Sequence, residues 1–179
     1  MANTNKKKNY WPLKIFIITL IISAGVSIVT ELFMSNMSIP AAVAVLLVLI
    51  GIGVAFDIVG VAFASCPEPP FVSMASRKIK KGVHALKLLK KAEMVSNICN
   101  DVVGDICGIV SGSCGAAIAV KIIAEAETAS EIVIGVGISA LISAVTVAGK
   151  ALGKTVALKN DVKIVELVGG VFSVFTREK

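Results

Sequence analysis

Charged and aromatic residues are scarce in this 179-residue chain. Asp, Glu, Lys and Arg make up 17% of it, against about a quarter in a typical soluble domain, whereas 56% is hydrophobic and the mean hydropathy is +0.89. Aromatic residues amount to 5%, so few side chains are available for nucleic-acid bases to stack on. The net charge of +6 is therefore not interpreted as a nucleic-acid surface, and the composition indicates a membrane protein.

Residues that carry zinc or covalent chemistry are also few. His84 is the single histidine, and the four cysteines, Cys66, Cys99, Cys107 and Cys114, include no CxxC pair, which argues against a zinc site. We predict that these thiols are buried and unreactive. No nucleophile has a histidine base, and no phosphate-cradling glycine loop precedes a strand, so we predict that the protein is not an enzyme.

Apolar runs, by contrast, are long. Four of them could cross a membrane as α-helices, at about 13–33, 41–64, 96–120 and 132–149. The first is predicted to be a retained helix rather than a signal peptide, because no small-residue cleavage site follows it. We therefore predict an all-α integral membrane protein. Its transmembrane domain covers 13–159, between a basic arm at 1–12 and a cytoplasmic or interfacial helix within 160–179.

A basic segment separates the second and third runs. It contains seven cations and no acid, and its apolar residues recur at helical spacing. The cations are Arg77, Lys78, Lys80, Lys81, Lys87, Lys90 and Lys91. We predict an amphipathic juxtamembrane helix over 72–92 that lies on the membrane surface, rather than a purely solvated run of charges.

The distribution of cations predicts the orientation. The loops at 34–40 and 125–131 contain no lysine or arginine, whereas the N-terminal arm, the juxtamembrane segment and the segment after the fourth run are basic. By the positive-inside rule, both termini lie in the cytoplasm of a four-span protein of the cell membrane.

Small residues recur at every fourth position in the third run. Gly104, Gly108, Gly112 and Ala116 lie on one face of the predicted helix. Such a face allows another helix to approach closely, either within the chain or in a second subunit.

Carboxylates inside apolar runs require an explanation. Asp57 lies about eight residues, or ~12 Å, from the cytoplasmic end of the second run, and Asp105 lies a similar distance from the start of the third. Asp101 is one turn closer to the cytoplasm on the same face as Asp105.

Two interpretations of these acids stay open at this point. In the first, a hard cation such as magnesium is bound by Asp57, Asp101, Asp105, the Asn100 amide and the hydroxyls of Ser111 and Ser113. In the second, Asp101 or Asp105 pairs with Lys150 or Lys154.

Three short motifs resemble one family. Residues 75–77 (ASR) open the basic segment, residues 99–104 (CNDVVG) resemble G-N-N-x-V-N, and residues 149–154 (GKALGK) are similar to G-E-x-x-P-K. In this order the motifs resemble those of the transmembrane module of the CNNM/CorB–CorC family of magnesium transport proteins, over about 41–159. Residues 65–70 align with that family's S-G-x-E-x-A break and retain Ser65 and Glu68. Lys150 stands in place of the family's acid and Gly153 in place of its proline, and the sequence contains no CBS pair.

The resemblance implies a homodimer in the lipid bilayer that binds and transports a divalent cation, Mg²⁺ being the expected ion. Ser65 and Glu68 are then added to the predicted ligands. The alternative is a non-transporting membrane scaffold or regulatory subunit whose acids are paired with lysines. A pore-forming, holin-like protein is a weaker third interpretation, because small lysis proteins rarely need a juxtamembrane helix or matched intramembrane acids.

Overall fold

The computed structural model describes residues 11–35, 37–125 and 131–175, and within these ranges the regular structure is entirely helical. Most of the predicted N-terminal arm and of the acidic linker lies outside the described residues. The elements are α1 (Trp11–Ser35), α2 (Ile39–Ser65), α3 (Pro69–Ser76), α4 (Lys80–Leu89), α5 (Ala92–Asn97), a π-helical segment (Ile98–Gly104), α6 (Asp105–Glu125), α7 (Glu131–Lys159) and α8 (Asp161–Phe175).

Four helical stretches are long and apolar enough to cross a membrane: Leu13–Met34, Ile39–Ser65, Ala92–Glu125 and Ile132–Lys159. The prediction of an all-α membrane protein is thereby confirmed. The third stretch joins α5, the π-helical segment and α6. The fourth continues past the predicted end at residue 149, because no proline interrupts the chain between Lys150 and Lys159.

Prolines set the ends of α2. Pro40 lies in its first turn, where the missing N–H would have no intrahelical partner. At the other end, Cys66 is extended (φ −73°, ψ 128°) and precedes Pro67, as expected for a residue before proline. Pro69 then begins α3. The predicted helix stop at residues 66–70 therefore separates α2 from α3.

Two apolar cores hold the helices together. The first joins the end of α1 to α2 and α6, and its buried residues are Met34, Ala42, Leu46, Ile50, Ile106, Val110, Cys114 and Ile118. The second joins the ends of α2 and α7 to α3, α4 and α8, and its buried residues are Ala62, Phe63, Phe71, Ala85, Leu89, Ala157 and Val165. No residue in the most apolar windows of α1 and α7 is buried, so these helices expose apolar side chains to lipid.

Glycines of α7 form a close seam with α2. A β-carbon at Gly149 would lie 3.1 Å from Val54 Cγ2, and one at Gly153 would lie 2.9 Å from Ile58 Cγ1. Because neither glycine has a side chain, α7 packs directly on the branched residues of α2. The sequence prediction assigned helix packing to α6 and missed this seam.

The predicted single helix over 72–92 is wrong in one respect: the chain turns at residues 77–79. Lys78 adopts a left-handed backbone conformation (φ 55°), and α3 and α4 are therefore separate helices that pack on each other. The inner face of α4, Gly82, Ala85 and Leu89, is buried. A β-carbon at Gly169 of α8 would lie 2.7 Å from Ala85 Cβ, so α8 covers this inner face, which includes Leu89 of the apolar stripe that was expected to contact the membrane.

Candidate functional site

An open cleft lies where α2, the π-helical segment and α7 meet. Its volume is about 380 Å³, and it is lined by Asp57, Val61, Asn100, Val147, Lys150, Ala151 and Lys154. Four of these residues were singled out from the sequence, and they come from three separate segments of the chain. The cleft is thus the place where Asp57 of the second span meets Asn100, Lys150 and Lys154 of the motifs in the third and fourth spans.

Asp57 and Lys150 form an ion pair in the cleft. Lys150 Nζ lies 3.4 Å from Asp57 Oδ2, and the two side chains are 31% and 20% exposed, respectively. Partial shielding from water strengthens such a pair relative to one on an open surface. Lys150 therefore does pair with an acid, but the partner is Asp57 on α2 rather than Asp101 or Asp105.

Gly104 makes room for this pair. A β-carbon at Gly104 would lie 3.0 Å from Asp57 Oδ1 and 3.6 Å from Lys150 Nζ. Any larger residue at the end of the π-helical segment would therefore press on the carboxylate. This is the one member of the predicted small-residue face that contacts the cleft.

Asn100 projects from the π-helical segment towards α2. Its Nδ2 donates a hydrogen bond to Ser96 Oγ (3.3 Å), whereas its Oδ1 is buried without a hydrogen-bond partner among the described residues. That oxygen occupies the space where a side chain at Gly60 would be. An unpaired buried acceptor is costly, and π-helical turns are frequent at functional sites. Asn100 is thus the least satisfied polar group of the cleft.

The remaining predicted ligands do not join the cleft. Asp101, Asp105 and Glu68 are exposed. Three hydroxyls donate to carbonyls one turn back in their own helices: Ser65 to Val61 (2.9 Å), Ser111 to Cys107 (2.6 Å) and Ser113 to Ile109 (3.3 Å). Among the described residues, no three His, Cys, Asp or Glu side chains converge as a metal-binding group would. Of the predicted ligands, only Asp57 and Asn100 line the cleft.

The charge of the cleft is positive. Asp57 contributes one negative charge and Lys150 and Lys154 contribute two positive ones. Lys154 is exposed and has no ion-pair partner in the described part of the chain. Any cation that enters must therefore compete with an ammonium group that already sits beside the carboxylate.

The predicted face of small residues is divided between two surroundings. Gly104 faces the ion pair, whereas a β-carbon at Gly108 or Gly112 would meet nothing within 4 Å. These two glycines line a groove of about 260 Å³ between α6 and α7, together with the hydroxyl residues Ser139, Ser143 and Thr146. Ala116 is exposed. Close packing within the described chain thus involves only one end of this face.

Lys121, which follows the predicted third span, is a structural residue that the sequence interpretation did not single out. Its Nζ donates hydrogen bonds of 2.6 Å to the carbonyl oxygens of Met34 and Met37. The ammonium therefore caps the end of α1, where helix carbonyls lack intrahelical partners. The only sequence signal was an isolated lysine that ends an apolar run.

Cys66 lies just beyond the membrane-spanning part of α2. Burial raises the pKa of its thiol to about 11, and the nearby negative charge of Asp161 acts in the same direction. The thiol is therefore protonated at neutral pH and is a poor nucleophile or metal ligand.

Comparisons of the chain with family models, with curated proteins and with solved structures find no match.

Proposed function

We propose that the chain is a four-span protein of the cell membrane, with both termini in the cytoplasm, that binds a divalent cation such as Mg²⁺ in the cleft and transports it. One observation carries the proposal. Asp57 already holds a cation, the Lys150 ammonium, at 3.4 Å, in a cleft formed by segments that resemble a magnesium transporter. The resemblance also supports a homodimer as the working assembly.

Binding would exchange one cation for another. Mg²⁺ prefers oxygen ligands and retains several waters, so the Asp57 carboxylate and one amide oxygen are an adequate protein contribution. Asn100 Oδ1 accepts no hydrogen bond from any described residue and could turn towards the ion. Lys150 is partly exposed, and its flexible stem allows the ammonium to move to the membrane–water interface. Lys150 would then act as a tethered competitor that weakens binding.

The test uses the full chain in lipid nanodiscs and in proteoliposomes. Mg²⁺-dependent thermal stabilisation and Mg²⁺ flux are measured for Asp57→Asn, Lys150→Met and, as a matched control, Lys159→Met, which changes an exposed lysine at the end of the same helix. We expect Asp57→Asn to abolish both signals and Lys150→Met to shift stabilisation to lower Mg²⁺ concentration by about tenfold or more, equivalent to about 1.4 kcal/mol. If Mg²⁺ stabilised the Asp57→Asn variant as strongly as it stabilises the wild-type chain, the proposal would be contradicted.

A second function is favoured by the same ion pair. Because Lys150 neutralises Asp57, the cleft needs no external ion, and the chain would then be a non-transporting scaffold or regulatory subunit. In that case each single variant is destabilised without any response to Mg²⁺. The exchanged pair Asp57→Lys with Lys150→Asp would restore stability. Mg²⁺ flux through the wild-type chain would eliminate this alternative.

A further inference from the structure

Helix α8 has two apolar faces, of which only one is covered. Val165 and Gly169 point inward, and Gly169 contacts Ala85 and the Lys81 carbonyl of α4. The opposite face has Leu167, Val171 and Val174 exposed by 68%, 48% and 78%. These three residues follow helical spacing (i, i+4, i+7), so they form one continuous apolar stripe. We call them the α8 stripe.

Two lysines lie along one edge of the α8 stripe, and the acid Glu166 precedes Leu167 on the same helix. The Cγ, Cδ and Cε atoms of Lys81 would lie 3.6–3.7 Å from a β-carbon at Gly170, which is three residues after Leu167 and four before Val174 and so borders the stripe. The aliphatic stem of Lys81 therefore lies at this edge of the stripe. Lys163 is exposed one turn before Leu167, also on this face. Lysines that cover apolar surface in this way keep their ammonium groups at its edge.

Helix α4 extends this positive surface. Lys80 and Lys81 are exposed, as are the other cations of the segment that begins at Arg77, and no acid occurs in it. The apolar face of α4 is occupied by α8, so α4 cannot itself insert into a bilayer. Its contribution to a membrane surface must therefore be electrostatic.

We propose that α4 and α8 form a docking surface for anionic phospholipids in the leaflet at this end of the helix bundle. The second apolar core ties both helices to the ends of the spans α2 and α7, so the surface is held next to the bilayer. The α8 stripe lies among the acyl chains, and Lys80, Lys81 and Lys163 contact headgroup phosphates. Anionic headgroups complement the excess of cations in this surface, which the acids Asp161 and Glu166 of α8 do not cancel, whereas a second copy of the chain would bring the same excess of positive charge.

The first test locates the stripe in the full chain, reconstituted in nanodiscs. Trp11 is replaced by Phe, and a single tryptophan is introduced as Val171→Trp or, on a different side of α8, as Phe172→Trp, a position that is also 48% exposed. We expect lipids brominated on their acyl chains to quench the tryptophan at 171 several times more strongly than the one at 172. Equal quenching, or quenching at neither position, overturns the proposal.

The second test concerns lipid charge. The emission of the Val171→Trp chain should shift to shorter wavelength when phosphatidylglycerol replaces phosphatidylcholine, and high salt should reverse the shift. Replacing Lys80, Lys81 and Lys163 by Gln should remove the shift, whereas replacing all three by Arg should retain it. The matched control replaces Lys6, Lys7 and Lys8 by Gln, which removes the same charge and should leave the shift unchanged.

Two outcomes of this second test overturn the proposal. One is an emission that is the same in both lipids. The other is a shift that appears only when discs contain two copies of the chain, which would assign the α8 stripe to a subunit interface.

Discussion

Gly60 and Asn100 share one space: the Oδ1 atom of Asn100 lies where a β-carbon of residue 60 would be. The contact joins the C-terminal part of α2 to the π-helical segment, next to the cleft that Asn100, Asp57 and Lys150 line. Asn100 can therefore reach α2 only because residue 60 has no side chain.

Gly60→Ala should destabilise the protein. The new methyl group would force Asn100 out of its position, and overpacking of this kind costs about 1–3 kcal/mol. Thermal unfolding in nanodiscs measures the effect. Gly51→Ala is the control, because a β-carbon there meets nothing within 4 Å. The double variant with Asn100→Ala should recover most of the loss, and a double variant no more stable than Gly60→Ala would refute the steric explanation.

Gly104→Ala should weaken the ion pair of the cleft. Its β-carbon would lie 3.0 Å from Asp57 Oδ1, so the carboxylate must move by a few tenths of an ångström. We expect a loss of about 1 kcal/mol or more in thermal unfolding. Gly108→Ala, one turn further along α6 and open on that side, should be close to neutral. Equal losses for the two variants would mean that the face of small residues packs as one unit.

Lys121→Met should release the end of α1. Methionine keeps a similar unbranched shape but cannot donate to the Met34 and Met37 carbonyls. Hydrogen bonds from charged donors contribute about 1.5–3 kcal/mol, so we expect a loss of about 2 kcal/mol, together with faster proteolysis near residues 34–38. Lys159→Met, at an exposed position, should leave the proteolysis rate unchanged. An uncleaved Lys121→Met chain would contradict the capping role.

Cys66 should react slowly with maleimide in a chain whose other three cysteines are replaced by Ala. With a pKa of about 11 instead of 9.0, the thiolate fraction near pH 7 is about a hundredfold lower. A more basic thiolate is also more nucleophilic, and this raises the reaction rate about tenfold for the same thiolate fraction. The net rate is therefore about tenfold below that of a free thiol. The rate should rise with pH up to about 11.

Asp161→Asn is the matched variant for the thiol. The substitution removes the negative charge of Asp161, which is the smaller of the two causes that raise the pKa of Cys66. The pKa therefore falls, while burial, the larger cause, remains. The reaction near pH 7 should therefore become faster, but should stay slower than that of an exposed thiol. A rate that is independent of residue 161 would assign the whole effect to burial.

Hydropathy was sufficient to predict four membrane-spanning helices, because length and apolar composition alone decide which segments can cross a bilayer. Spacing along α2 also indicated how far Asp57 lies from the end of its span. It could not indicate which way each carboxylate points, since that depends on the rotation of one helix against another. Asp101 and Asp105 share a depth range with Asp57 but are exposed, and Lys150 reaches Asp57 instead.

The π-helical segment explains part of this difference. Its wider turns (i→i+5 hydrogen bonds) change the direction of every side chain that follows, so a face drawn at α-helical spacing does not continue through it. Asp101 lies within this segment and Asp105 directly after it, so their relative direction could not be read from α-helical spacing. Asn100, which contacts Gly60, lies in the same segment.

The cap that Lys121 places on α1 has a consequence for the order of assembly. During synthesis α1 emerges before α6, the helix on which it packs, and Lys121 is made more than 80 residues after the carbonyls that it binds. Until then α1 must remain in the bilayer as an independent helix, which its largely apolar surface permits. Helix α1 is therefore fixed in place only after α6 has been inserted.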